Sequence, residues 1–238
     1  MNNYDDALNY INEQEKLPID YCKIVDNSKN LIVSFASFGK TYYERKSSLL
    51  KLKYERNDFD ILYIKKPRTW YLGGIGGIGK NINHTIAFLR KEFAKYDKVV
   101  CVGISMGGYA SILFGSLLNV DCVIVNRPQT DLDYTINNCI PARDESKKFP
   151  GKCKAENLYE ARLGLSKIID FKSFEKYKNL NKFINNSTIY YVNNFDNTDH
   201  GWHGIHHYNN IKNFKNVVLR GMEKDDNITP LLTDILDK

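Results

Sequence analysis

Long apolar runs are absent from this 238-residue chain, and their absence excludes membrane-spanning helices. The longest apolar run, at residues 99–102, suits a buried strand and is far too short to cross a bilayer. The first six residues are polar and acidic, whereas a secretory signal begins with basic residues followed by an apolar stretch. We therefore expect a protein without a membrane span.

Cysteine is scarce, and its spacing excludes the common zinc motifs. The chain has 5 cysteines, an odd number, and no two of them form a C-x-x-C pair. They are scattered along the sequence at Cys22, Cys101, Cys122, Cys139 and Cys153. This pattern is typical of reduced thiols, so we expect a cytoplasmic protein that needs no metal.

The chain also lacks a large excess of charge of one sign. The formal net charge of +6 comes from lysines spread along the chain, which favours a solvated basic surface over a preference for anionic ligands. Lysines and tyrosines form no basic stripe and no recognition module, so we expect no nucleic-acid partner. No internal repeat or low-complexity linker divides the chain, and we expect one domain over residues 1–238.

Strand-like and helix-like patterns alternate along the sequence. The predicted strands are residues 30–35, 61–64, 98–102, 120–125, 189–192 and 216–219. The predicted helices are residues 82–96, 109–118 and 230–236. Such alternation predicts an α/β fold with a mostly parallel sheet covered by helices on both faces. A charged stretch at about 131–182, interrupted by prolines, is predicted to be a lid insertion.

The most informative motif is G-x-S-x-G at Gly103, Ser105 and Gly107. It stands between a β-branched apolar run and a helical pattern, the context in which a strained turn presents a nucleophilic serine. Small residues are needed on both sides because a Cβ there collides with the turn. A helix that begins at Met106 points its amide dipoles toward a developing oxyanion.

These features resemble the α/β-hydrolase superfamily, and the resemblance covers most of the chain from Asn30 onward. Three short segments resemble a bacterial group found with surface-polysaccharide genes, which includes capsule O-acetyltransferases. They are residues 68–75 (RTWYLGGI), 107–110 (GGYA) and 128–130 (PQT). The resemblance implies an acyl transferase or esterase that acts on a cell-surface polysaccharide or its precursor. No cofactor is implied, although acetyl-CoA is conceivable as the acyl donor.

The resemblance also implies roles for particular residues. Ser105 is the expected nucleophile, and the backbone N–H of Met106 is one expected oxyanion-hole donor. The other donor is expected from Ala36 or Ser37, although this stretch also fits an ordinary turn after a strand.

Arg68, Trp70 and Tyr71 are expected to flank the cleft and bind substrate. Simple packing is the alternative for the two aromatic residues. The nearby run from Gly74 to Asn81 imitates a phosphate-binding loop but lacks the closing Ser or Thr, and it is predicted to be a turn.

The acid and the base are less well defined. The resemblance implies an acid after the penultimate strand, where Asp196 is the first candidate and Asp199 the second. Both also fit turn or helix-cap aspartates. It further implies a histidine after the last strand, but the chain has Asp225 and Asp226 there. An aspartate alone is a poor base for a serine, because its usual pKa lies far below the working pH.

Four of the chain's 5 histidines lie within residues 200–207, directly after the candidate acid. We therefore expect a histidine of this cluster, His203 or His200, to act as the general base in place of the missing one. One alternative is a metal site that joins the cluster to Asp196 or Asp199. The other is a degenerate site, in which the fold binds a glycan or a partner protein without catalysis.

Overall fold

In the part of the chain that the structure describes, seven strands form one sheet, in the order β1-β3-β2-β4-β5-β6-β7. The computed structural model describes residues 3–37, 40–65, 70–135, 171–193, 201–221 and 228–238, without the side chains of residues 171 and 201–203. The strands are β1 (Tyr21–Ile24), β2 (Asn30–Phe35), β3 (Phe59–Ile64), β4 (Lys98–Ile104), β5 (Cys122–Asn126), β6 (Thr188–Val192) and β7 (Val217–Arg220). β1 runs antiparallel to β3, and the other neighbours are parallel.

Helices cover both faces of the sheet. They are α1 (Tyr4–Glu15), α2 (Lys46–Arg56), α3 (Ile82–Phe93), α4 (Met106–Leu118), the single turn α5 (Leu132–Tyr134), α6 (Phe171–Tyr177), α7 (Gly201–Ile211) and α8 (Thr229–Leu236). One core cluster joins α3, α4 and α7 to the sheet, and the other joins α1, α2 and α8 to its opposite face. Successive strand residues alternate between the two clusters because side chains of a strand point to opposite faces. The predicted α/β architecture with a doubly covered sheet is confirmed.

Helix α4 and strand β4 form the centre of this arrangement. β4 lies between β2 and β5, with two strands beyond each of them. Every residue of α4 from Met106 to Ser116 is buried, so the helix is apolar on all sides. A fully buried helix cannot shift without breaking the core, and the turn between β4 and α4 is therefore rigidly held.

Three elements near the amino terminus are not among the predicted ones: α1, β1 and α2. The buried positions of α2, Leu49, Leu50, Leu52 and Lys53, lie on one face of the helix, but one of the four is a lysine, so the apolar face is incomplete in the sequence. The Lys53 ammonium is buried and donates to the carbonyl oxygen of Phe59 at 2.7 Å. A buried lysine is read from sequence as a surface residue, and this hides the helix.

The predicted lid at about 131–182 falls partly outside the described residues, and it stays a prediction. Its two described ends meet, because Asp131 and Asn179 form a β-bridge and the Leu132 N–H donates to the Lys178 carbonyl at 2.8 Å. The Tyr109 hydroxyl of α4 donates to the Tyr177 carbonyl at 2.8 Å. The two described ends of this segment therefore lie next to each other beside α4. None of the helices in the described ranges has both the length and the apolar character that a membrane span needs.

Candidate active site

Ser105 occupies a strained turn at the carboxyl end of β4. Its backbone has φ 53° and ψ −114°, outside the regions that residues with a side chain usually adopt. Hydrogen bonds hold both sides of the residue, since its N–H donates to the Asn126 carbonyl at 2.9 Å and its carbonyl accepts from the Tyr109 N–H at 3.0 Å. The residue is half-buried. The strand, turn and helix predicted around it are all present.

The glycines of the motif are explained by close backbone contacts. A Cβ on Gly107 would collide with the carbonyl oxygen of Phe35, and a Cβ on Gly103 would collide with the carbonyl of Gly107. Backbone atoms at these contacts cannot move aside as a flexible side chain would. A Cβ on Gly108 would lie 2.8 Å from the Cβ of Pro128, so the segments GGYA and PQT fit each other across the same turn.

Backbone strain is concentrated at the edge of the sheet where Ser105 lies. Among the described residues, eight other than glycine have positive φ, and three of these are asparagines, which tolerate this conformation. The asparagines precede β2, β3 and β5, at the amino edge. The other five follow β2, β3, β4 and β5 at the carboxyl edge: Arg45, Trp70, Tyr71, Ser105 and Arg127. Each such residue costs about 1–3 kcal/mol, and strain of this kind clusters at functional sites.

The expected oxyanion-hole donors differ in their hydrogen bonds. Among the described residues, no acceptor contacts the N–H of Met106, which lies in the first turn of α4. The Ala36 N–H donates to the Ile64 carbonyl at 2.9 Å and so extends the ladder between β2 and β3. The Ser37 N–H donates to Glu44 Oε2 at 2.7 Å, and its hydroxyl donates to Oε1 at 2.7 Å. A movement of the Glu44 side chain would free the Ser37 N–H, whereas the Ala36 N–H is bonded to the backbone of a neighbouring strand.

Trp70 and Tyr71 lie beside the elbow, and both are buried. The indole N–H of Trp70 donates to Gln129 Oε1 at 2.6 Å. The Tyr71 hydroxyl donates to the Ala36 carbonyl at 2.7 Å, and its ring packs edge-on against Phe35. Burial raises the pKa of Tyr71 well above its usual value. Both side chains are therefore held by core packing and hydrogen bonds beside the turn, while Arg68 falls outside the described residues.

The candidate acids and one candidate base also fall outside the described residues: Asp196, Asp199 and His200. The backbone of His203 is described, in the first turn of α7. The next residue, Gly204, accepts a 2.9 Å hydrogen bond at its carbonyl from the Tyr191 hydroxyl of β6. This contact ties the amino end of α7 to the carboxyl half of β6. Residue 203 therefore belongs to the same edge of the sheet as Ser105.

The two later histidines of the cluster have structural contacts. His207 is 4 % exposed, and its Nδ1 accepts from the Thr130 N–H at 3.2 Å while its Nε2 lies 3.3 Å from Thr135 Oγ1. An Nδ1 that accepts leaves the ring proton to Nε2, which can then donate it to the Thr135 hydroxyl. His206 is half-exposed, with Nε2 3.4 Å from Asp131 Oδ2. Its ring stacks on Tyr134.

The cysteine thiols do not compete with Ser105 as nucleophiles. Burial raises the pKa of Cys22 and of Cys122 to about 12, and it raises that of Cys101 even further. The thiolate is the reactive form, and at neutral pH these three side chains are protonated. Cys139 and Cys153 fall outside the described residues.

The described residues support neither the metal site nor the phosphate-binding loop that the sequence left as alternatives. No group of three or more His, Cys, Asp or Glu side chains is gathered there in a way that could hold a metal ion. The glycine-rich run folds as a tight turn in which Ile75 and Gly79 bond each other. The Gly76 N–H donates to the carboxylate of Asp20 at 3.1 Å, so one amide that a phosphate loop would use already holds an anion.

Sequence reasoning did not identify three polar residues of this site: Glu44, Gln129 and Asp131. Glu44 contacts Ser37 within the loop between β2 and α2, Gln129 contacts Trp70 of another loop, and Asp131 contacts His206 of α7. The segment PQT contains Gln129 and gave the one sequence signal for it. Glu44 and Asp131 left no signal, because a single carboxylate in a loop is common.

Comparison with known proteins identifies the fold. No protein-family model matches the sequence, and no curated protein does. A glycosylation-associated protein (Gap123) complex from Streptococcus agalactiae is similar at 17% identity and TM-score 0.54, covering 92% of this chain and 43% of that one. The fluorophosphonate-binding serine hydrolase F of Staphylococcus aureus is similar at 11% identity and TM-score 0.52, covering 90% and 86%. A monoacylglycerol lipase from Paleococcus ferrophilus is similar at 12% identity and TM-score 0.53, covering 93% and 98%.

These identities are low, so the likeness concerns the fold and not the substrate. The chain spans less than half the length of the Streptococcus agalactiae protein, while it matches the hydrolase and the lipase nearly end to end. The mostly parallel sheet covered by helices agrees with the fold of these neighbours. The chain has the α/β-hydrolase fold.

Proposed function

We propose that the protein is a serine-dependent acyl transferase or esterase with Ser105 as its nucleophile. The observation that carries this proposal is the strain at the carboxyl edge of the sheet, where five of the residues that the structure describes, none of them Asn or Gly, have positive φ. One of them is the serine of the G-x-S-x-G turn. Conformations of this cost are retained where the surrounding structure needs them for function.

The reaction has two halves. A histidine takes the proton of Ser105 Oγ as the oxygen attacks the acyl carbon, and it then gives that proton to the leaving oxygen or sulfur. A sugar hydroxyl or water next attacks the acyl-Ser105 ester and loses its proton to the same histidine, which returns that proton to Ser105 Oγ as the serine departs. The Met106 N–H faces the oxyanion, and the Ser37 N–H joins it once the Glu44 carboxylate has moved away.

His203 is the proposed base, with Asp196 as the acid that orients it and His200 as the alternative base. Its place in the first turn of α7 supports this assignment, because the turn is tied to the carboxyl half of β6. His207 is a poorer candidate, since Thr130 and Thr135 contact both of its ring nitrogens. His206 lies one helical turn after His203 and pairs with Asp131.

The proposed reaction is O-acetyl transfer to, or O-acetyl removal from, a bacterial cell-surface polysaccharide or its precursor in the cytoplasm, with acetyl-CoA as a conceivable donor for the transfer. Support comes from the three segments that resemble capsule O-acetyltransferases, two of which pack against each other through Gly108 and Pro128. A fold neighbour named as glycosylation-associated agrees with this choice. The second candidate is a degenerate binding protein, which is favoured by Asp225 and Asp226 standing where a histidine is expected.

The direct test is turnover of p-nitrophenyl acetate by the purified chain. The proposal expects release of p-nitrophenol that is lost in Ser105→Ala. No release by a folded wild-type protein, or equal release by Ser105→Ala, would leave the binding protein as the better account.

Single alanine substitutions in the histidine cluster separate the base from its neighbours. We expect His203→Ala to lower kcat for p-nitrophenyl acetate by about 10³-fold, since a serine without a base is a weak nucleophile. His206→Ala is the matched control on the next turn of α7, and we expect it to retain most of the activity. If His203→Ala keeps full activity while His200→Ala loses it, the base is His200. Full activity in both contradicts the assignment.

Removal of the Glu44 carboxylate tests whether it blocks the oxyanion hole. We expect Glu44→Ala to react with a fluorophosphonate several-fold faster than wild type, up to about tenfold. An oxyanion no longer has to displace a charged hydrogen-bond partner of Ser37. Glu13→Ala, on the exposed face of α1, is the control for loss of a carboxylate. Slower labelling of Glu44→Ala would show instead that the carboxylate holds Ser37 in its working position.

A further inference from the structure

A side-chain bridge crosses the sheet edge beside Ser105. Trp70 follows β3 and Gln129 follows β5, and in the sheet order β2 and β4 lie between those strands. The 2.6 Å hydrogen bond from the Trp70 indole to Gln129 Oε1 therefore joins loops on opposite sides of the Ser105 strand. The Gln129 N–H donates to the Ser105 carbonyl at 3.3 Å, which places this glutamine directly against the turn.

The bridge fixes the orientation of the Gln129 amide. An indole N–H can only donate, so the amide atom that it contacts must be the oxygen. The NH₂ group then lies on the other side of the amide, with two N–H donors. Within the parts of the chain that the structure describes, no acceptor contacts this nitrogen, and the side chain is half-buried.

Both ends of the bridge stand on strained backbone. Trp70 has φ 48° and Tyr71 has φ 65°, while Arg127, two residues before Gln129, has φ 46°. A hydrogen bond made for stability alone would be reached more cheaply from relaxed loops. The strain indicates that the position of the amide matters.

We propose that Gln129 is a specificity-determining residue whose Nε2 donates to an oxygen of the substrate's alcohol part, such as a sugar hydroxyl or ring oxygen. Trp70 is the positioning residue that turns the donors toward it. This inference rests on the proposed function of Ser105 and names the class of ester that the site prefers. An ester of an oxygen-rich alcohol uses the donor, whereas an aryl ester without such an oxygen does not.

The test compares kcat/KM for glucose pentaacetate with kcat/KM for p-nitrophenyl acetate. Gln129→Glu keeps the length and the acceptor for Trp70 but replaces the donor with an acceptor. We expect it to lower the ratio of the two constants about tenfold, the effect of one hydrogen bond. Trp70→Phe leaves the amide intact without its orienting bond, and we expect a smaller fall in the same ratio. Gln14→Glu, on α1, makes the same change away from the site and should leave the ratio unchanged.

The role of Gln129 and the proposed function of Ser105 fail on different results. An unchanged ratio in both Gln129→Glu and Trp70→Phe overturns it while the proposed function stands. The same holds if wild type cleaves p-nitrophenyl acetate but not the sugar ester. If wild type cleaves neither ester, both the inference and the proposed function fail together.

Discussion

Gly107→Ala lowers the free energy of unfolding by about 3 kcal/mol or more, because the added methyl group meets backbone that cannot yield. The Cβ would collide with the Phe35 carbonyl oxygen in β2. The helix α4, which contains Gly107, is buried on all sides and cannot shift to relieve this collision. For a chain of this length the loss corresponds to a fall in Tm of about 10 °C. Thermal unfolding followed by circular dichroism measures it.

Gly221→Ala is the matched control for this change. Nothing lies within 4 Å of a Cβ built at Gly221, which follows β7 at the same edge of the sheet. We expect its free energy of unfolding to stay within about 0.5 kcal/mol of wild type. Equal stability of the two variants would contradict the close packing of the turn against β2.

Ser105→Gly and Ser105→Ala should both lose esterase activity by about 10⁴-fold or more, because each removes the nucleophile. Their stabilities should differ. Alanine keeps a Cβ at φ 53° and so keeps the strain, whereas glycine adopts this conformation without cost. We expect Ser105→Gly to unfold with a free energy about 1 kcal/mol higher than Ser105→Ala.

This comparison separates the chemical role of the serine from its conformational cost. Activity is followed with p-nitrophenyl acetate, and stability is followed by urea unfolding of the two variants side by side. A glycine variant less stable than the alanine variant would mean that the turn is not strained. Activity retained in either variant would mean that another residue is the nucleophile.

The central sheet was predictable from sequence because its strands are short apolar runs rich in β-branched residues. The predicted strand at residues 30–35 has the observed bounds of β2, and the elbow follows β4 as expected. α2 was not predicted, since the position that completes its buried face is Lys53, whose ammonium is buried against the Phe59 carbonyl.

The contacts that define the site could not be predicted in the same way. The bonds from Ser37 to Glu44 and from Trp70 to Gln129 join side chains of loops, where no periodic pattern reveals which residues meet. The hydrogen bond from the Ala36 N–H to the Ile64 carbonyl likewise depends on the register between β2 and β3, which the sequence does not reveal. Sequence therefore predicted the residues that backbone geometry demands, such as Gly103 and Gly107, better than the polar partners around them.

Fluorophosphonate labelling with identification of the modified peptide tests the nucleophile most directly. We expect wild type to be labelled at one site, the Ser105 hydroxyl, and Ser105→Ala to be unlabelled while retaining its circular dichroism spectrum. A folded wild-type protein that takes up no label, or a label on another residue, would contradict the assignment of Ser105 as an activated serine.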